Sequence, residues 1–233
     1  MSDRTLRTLE RAAAAGDPEA SSRLVLARLR SGTLTEEGVR LAAFLGDPGA
    51  RLAAEGLRLW LPYEYEDTPR WIGVLADEWP FEPTVRSAVA LARRALARWE
   101  RRPLDRWNRR YPPDWRYREA VEAGEAWVVS GGATPPPMWL QRLTDGRRVI
   151  NDASEAIGAL GRVVQLSTTT EWHEADPGRA RFVLSSTAET FVREDPSEDR
   201  GLGIAVREEL LSWVLGTGDP LRERVTSRVG VGG

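Results

Sequence analysis

The sequence predicts an all-α protein, and three observations carry that prediction. The first is a phrase that occurs twice, thirty positions apart: Ala12-Ala13-Ala14-Ala15-Gly16-Asp17-Pro18-Glu19-Ala20 and Ala42-Ala43-Phe44-Leu45-Gly46-Asp47-Pro48-Gly49-Ala50. The second is an amphipathic stretch at 84–101. Val85, Ala88, Val89, Ala92, Leu96 and Trp99 share one helical face, while Arg86, Arg93, Arg94 and Arg98 lie off it. The third is the lack of any window with sustained period-2 alternation between hairpin turns; Val128-Val129 and Arg147–Ile150 are too short to argue a sheet. Together these point to antiparallel helical hairpins stacked as a short α-solenoid or irregular helical bundle, with about nine to eleven helices.

Gly-Asp-Pro is a stop-and-restart signal. Gly just past a helix tolerates the left-handed conformation that ends it. Asp then accepts from the free N–H groups of the next helix, and Pro fits its first turn, where no donor is needed. Each copy therefore reads as helix, near-zero loop, helix, and a period of this length signals stacked helix pairs. A first helix at 3–15 carries Leu6, Leu9 and Ala13 at helical spacing. A second at 18–31 carries Ala20, Leu24 and Ala27, with Val25 and Leu29 widening the stripe, and Gly32 ends it. Thr33-Leu34-Thr35-Glu36 has the form of a capping box for a third helix at 35–45. A fourth spans 48–61, closed by Trp60-Leu61-Pro62.

Tyr63-Glu64-Tyr65-Glu66-Asp67 is acidic, aromatic and turn-like. A short helix spans 68–78, then the amphipathic helix at 84–101. Pro103, Pro112 and Pro113 make 103–114 an irregular connector or a short helix. A helix at 115–129 is stopped by Ser130-Gly131-Gly132, and Pro135–Pro137 is a stiff linker. Ile150, Ala153, Ile157, Leu160 and Val164 form a helical seam. Asp176-Pro177 opens a helix to Arg193, and Asp195-Pro196 sits in a turn. Residues 203–215 are helical, Gly218-Asp219-Pro220 repeats the opening signal for a last short helix, and the C-terminus is a frayed tail. The expected domains are a two-hairpin repeat unit at 1–61, a helical domain at 62–225 packed on it, and a tail at 226–233.

The chain has 233 residues, a net charge of −2 and no cysteine. That excludes disulfides, a thiol nucleophile and a thiolate metal site, and fits a reducing compartment. No apolar h-region follows Met1 and no run of about 18 apolar residues occurs, so the expected location is cytoplasmic with no membrane contact. Near-neutral charge makes the whole chain no magnet for nucleic acid. Every basic residue is Arg, as a high-GC genome would give. Ten Trp stand against four Phe; Trp fills gaps between helices and also anchors interfaces.

Three segments are familiar together: Leu9-Glu10-Arg11-Ala12-Ala13 with Gly16–Ala20, Arg118–Trp127, and Val206–Gly216 with Asp219–Arg224. The set resembles a group of all-helical, Arg- and Ala-rich proteins of high-GC bacteria, some of which carry an immunity-protein label. The resemblance spans most of the chain and implies a helical-repeat fold. Its immunity labels hint at a toxin or defence effector as partner. It carries over no catalytic or binding residue.

Motifs for chemistry are sparse. His173, in Glu171-Trp172-His173-Glu174-Ala175-Asp176, invites a metal or acid–base role. However, the zincin pattern needs a second His four residues on, and the segment also reads as an acidic helix start. Gly201-Leu202-Gly203 before a helix lacks the strand a dinucleotide site requires, and Glu194, Asp195, Glu198 and Asp199 would repel phosphate; it reads as a loop. Ser130-Gly131-Gly132 follows a helix, the wrong side for an oxyanion site. No cofactor and no metal are expected.

The sharpest local feature is 93–118, where ten arginines are interleaved with Trp99, Trp107, Tyr111, Trp115 and Tyr117. This composition suits single-stranded nucleic acid, a protein interface, or a salt-bridged connector. The acids at 64–82 favour pairing within the chain or with a protein. The expectation is a non-enzymatic helical-repeat protein that binds another protein, whether a toxin, a defence effector or a complex subunit. Its contact residues would be Trp107, Arg109, Arg110, Tyr111, Trp115 and Arg116. The alternatives are single-stranded nucleic-acid binding through 93–118 and an enzyme working through His173.

Overall fold

The structure is a computed structural model that describes residues 3–79, 82–101, 115–131 and 177–231. Among these residues there are ten α-helices and no strand. In chain order they are α1 (Asp3–Ala14), α2 (Pro18–Arg30), α3 (Glu36–Phe44), α4 (Pro48–Leu57), α5 (Thr68–Glu78), α6 (Glu82–Arg101), α7 (Trp115–Val129), α8 (Pro177–Glu194), α9 (Glu198–Val214) and α10 (Pro220–Val231). The fold is all-α, and no described helix is long and apolar enough to cross a membrane. The seam at 150–164 lies outside the described residues.

Two compact units divide the chain: Met1–Glu64 with Leu210–Pro220, and Tyr65–Glu209 with Leu221–Gly233. The break falls at 64, close to the expected 61. Residues 210–220, placed by sequence in the second domain, cluster with the first. Helix α10 runs to Val231, past 226, where the sequence places the tail.

In the first unit the two Gly-Asp-Pro corners are built alike. Gly16 and Gly46 sit at φ +89° and +96°, where a side chain would be strained. The Gly16 and Asp17 amides donate back to Ala13 and Ala12 carbonyls, and the Gly46 and Asp47 amides donate to Ala43 and Ala42, a Schellman closure at both. The Asp17 carboxylate accepts from the Glu19 and Ala20 amides at 2.9 and 3.2 Å, and Asp47 accepts from Ala50 at 2.6 Å. One tripeptide thus satisfies the end of one helix and the start of the next.

Helix α2 packs on α1 and α4, and α3 packs on α4. Val25, Leu34, Val39, Ala42, Ala43, Ala50, Ala53 and Ala54 form the core, with Leu211, Val214 and Leu215 packed against it. Helix α4 comes close to α2 at Gly49, where a Cβ would lie 2.2 Å from Ser21 Oγ and 2.7 Å from the Ser21 carbonyl carbon. The first copy has Glu19 at this position, exposed.

Three expectations for helix ends need correction. The cap of α3 is Thr35, whose hydroxyl accepts from the Gly38 amide at 3.0 Å; Thr33 instead donates to the Arg28 carbonyl. Helix α4 stops at Leu57, not 61, because Arg58 turns left-handed at φ 57°. The glycine that ends α9 is Gly216 at φ +66°, two residues before the third Gly-Asp-Pro, whose Pro220 begins α10.

In the second unit α8 packs on α5 and α6, and α6 packs on α5 and α7. Trp71, Ile72, Leu75, Val85, Val89, Leu91, Val121, Leu184, Phe191, Leu202 and Val206 are buried. Helix α9 begins at Glu198, earlier than the expected 203, so Gly201 and Gly203 lie inside it. A Cβ at Gly201 would sit 2.8 Å from an Arg94 guanidinium nitrogen, and one at Gly203 would sit 3.2 Å from the Thr68 hydroxyl. These glycines admit close neighbours rather than forming a loop. Thr68 completes the joint: its amide donates to the Asp199 carboxylate and its hydroxyl to the Asp199 carbonyl, at 2.9 and 2.7 Å.

Candidate functional site

Two features stand out, one in each unit. In the first unit the chain leaves α4 and runs without regular secondary structure over 59–65. Leu59 and Leu61 pack against the core while Trp60 and Tyr63 point outward, 63% and 74% exposed. Two guanidiniums pin this segment. Arg40 of α3 donates to the Trp60 carbonyl at 2.9 Å and lies over the Trp60 ring, 5.4 Å from its centroid. Arg51 of α4 reaches both Glu64 carboxylate oxygens through the single nitrogen Nη2, at 2.6 and 2.8 Å, and donates from Nε to the Ala43 carbonyl. Two guanidiniums thus hold the backbone that presents an exposed Trp and an exposed Tyr.

In the second unit, charged side chains gather inside. Glu125 of α7 is fully buried and Glu209 of α9 is 5% exposed. Glu125 takes guanidiniums from Arg93, from Arg224 at 3.2 Å and from Arg228 at 2.7 Å. Glu209 is held by Arg224 and lies 3.8 Å from Arg86. Arg86 is 2% exposed and donates to Glu82 at 3.0 Å. This corrects the placement of Arg86 off the buried face of α6: that helix is enclosed on more than its apolar side. Glu209 is held above its ordinary carboxyl value, first by burial and further by the Glu125 charge, against the pull of Arg224 and Arg86. A shallow groove of about 130 Å³ adjoins the cluster, lined by Arg93, Leu96, Glu100, Arg118, Val121 and Arg228.

Chemically, the cluster is an ion-pair network. Glu125 and Glu209 are each paired with guanidiniums, although one oxygen of each has no hydrogen-bond donor among the described residues, and two carboxylates without a third His, Asp or Glu make a poor cation site. Among the described residues no such group of three occurs.

Of the residues singled out by sequence, Trp107, Arg109, Arg110 and Tyr111 lie outside the described residues, as does His173. Trp115 and Arg116 open α7. The flanks of the arginine-rich segment are described. Arg93 pairs with Glu125, Arg94 with Glu198 at 2.8 Å and Arg118 with Glu100 at 2.7 Å. Sequence reasoning passed over Trp60, Tyr63, Glu125 and Glu209. For Trp60 and Tyr63 there was little signal: Leu59-Trp60-Leu61 is apolar throughout, so nothing in the sequence separates the inward from the outward side chains. For Glu125 and Glu209 there was none, since each sits at ordinary helical spacing and its partners are distant in sequence.

No family model, no curated protein and no solved structure matches this chain.

Proposed function

We propose that this chain is a non-enzymatic helical-repeat protein that binds another protein, with Trp60 and Tyr63 as its anchor residues. The observation that carries this is the outward pair of aromatics on a segment clamped by Arg40 and Arg51. Trp and Tyr are enriched where binding energy concentrates. The stacked hairpins behind them supply a rigid base. A toxin or defence effector is the partner class that the sequence resemblance implies, and a complex subunit fits the same surface. Trp107, Arg109, Arg110, Tyr111, Trp115 and Arg116 are the second segment proposed to contact the partner. The nucleic-acid alternative has less behind it, because Arg93, Arg94 and Arg118 are already engaged by carboxylates.

The test is affinity capture from the native cell with three baits: the wild-type chain, Trp60→Ala/Tyr63→Ala, and Trp107→Ala/Arg109→Ala/Arg110→Ala. The expected result is a stoichiometric protein partner that the first variant loses while its circular dichroism is unchanged. Equal capture by the wild type and the Trp60/Tyr63 variant overturns the assignment of the anchor. Oligonucleotide binding at about 50 mM salt that falls steeply as salt rises would transfer the function to nucleic acid.

A further inference from the structure

Helix α10 is held in its unit in an unusual way. Among residues 221–228 only Leu221 is buried. Thr226 and Ser227 hydrogen-bond back onto their own helix. What reaches inward is a pair of arginines four residues apart, hence on one face. Arg224 bridges Glu125 and Glu209, and Arg228 takes the other oxygen of Glu125 and approaches Glu122 at 3.7 Å. With α10 in place, Arg86, Arg93, Arg224 and Arg228 balance Glu82, Glu122, Glu125 and Glu209. Without it, four carboxylates face two guanidiniums, and two of those carboxylates are at least nine-tenths buried. Glu209 Oε1 has no hydrogen-bond donor among the described residues even with α10 docked.

We propose that Glu125 and Glu209 form an acidic socket for a helix bearing two arginines at i and i+4, and that α10 is its resident occupant, a latch that undocks while the rest of its unit stays folded. A deeply set carboxylate pair needs cationic partners to remain charged, and Arg224 and Arg228 supply two of them from one face of α10. The planar fork of Arg suits a bridge between two carboxylates, and Lys does not replace it there. The ligand class is therefore an arginine-bearing helical peptide. This inference is independent of the role given to Trp60 and Tyr63.

The test is hydrogen exchange on the full chain, wild type against Arg224→Ala/Arg228→Ala. Protection of the 221–231 amides is expected to fall by about tenfold or more while that of 85–91 in α6 holds. A synthetic peptide of residues 221–233 should bind the double variant saturably and less tightly as salt rises, and the same peptide with both arginines changed to Ala should not. Unchanged protection of α10 in the variant, loss of α10 and α6 together, or equal binding of both peptides overturns the latch. Should the variant fail to fold, the wild type decides alone. Under mild denaturant α10 must exchange by an opening that leaves α6 protected, and a single shared opening sinks the proposal.

Discussion

Gly49→Ala tests the stacking of the two hairpins at a point of close approach. A Cβ there meets Ser21 Oγ at 2.2 Å, Ser21 Cβ at 2.4 Å and the Ser21 carbonyl carbon at 2.7 Å. The hydroxyl can rotate away. The backbone carbon cannot, so α2 and α4 must separate by several tenths of an ångström. Overpacking of this kind costs about 1–3 kcal/mol. Replacing Gly by Ala in a helix returns up to about 1 kcal/mol, less in a first turn. The net expectation is a loss of about 1–2 kcal/mol, read as a lower urea midpoint at unchanged slope. The control is Glu19→Ala at the matching position of the first copy, which is exposed and should change stability by no more than about 0.5 kcal/mol. Ser21→Gly should recover part of the loss in the Gly49→Ala background, because it removes two of the three close atoms. A Gly49→Ala protein as stable as wild type would mean that the hairpins do not meet there.

Three further outcomes follow from particular geometry. Arg58→Gly should stabilise by about 0.5–1 kcal/mol, because Arg58 holds a left-handed φ of 57° that Gly adopts without strain; thermal melting reads the gain. Arg86→Met should destabilise by about 3 kcal/mol by stripping a buried guanidinium from beside Glu209, whereas Arg70→Met, which breaks an exposed pair with Asp67, should cost no more than about 0.5 kcal/mol; urea unfolding of both compares them. Glu209→Gln should remove a pH dependence of known sign. A carboxyl raised by burial in the folded state adds stability below its unfolded value of 4.5 and loses it as pH rises through the folded value. The stability of the wild type relative to Glu209→Gln should therefore decline as pH rises from about 4 upward, and a flat or rising difference would contradict the burial of that group.

Much of the backbone was legible in the sequence because local chemistry decided it. The corners at Gly16 and Gly46 form from groups within six residues of each other, and the spans of α5 and α7 follow from Asp67 and from Ser130-Gly131. The failures lie where distant groups decide. Gly201 and Gly203 resemble a loop until Arg94 and Thr68 are seen pressed against them. Arg86 looks like a surface residue until Glu209, far along the chain, is placed beside it. Arg58 ends α4 although no glycine marks the stop. The candidate surface was less legible still. The dense arginines of 93–118 dominate the composition, whereas the exposure proposed to matter at Trp60 and Tyr63 depends on Arg40 and Arg51 holding the backbone that presents them.

The most direct measurement is the dissociation constant of the captured partner for purified wild-type chain and for Trp60→Ala/Tyr63→Ala, by titration calorimetry at matched salt. Anchor residues lose about 2 kcal/mol or more when truncated, a factor of about thirty in affinity. The account predicts at least that weakening with an unaltered melting temperature. A dissociation constant within about twofold of wild type would contradict it.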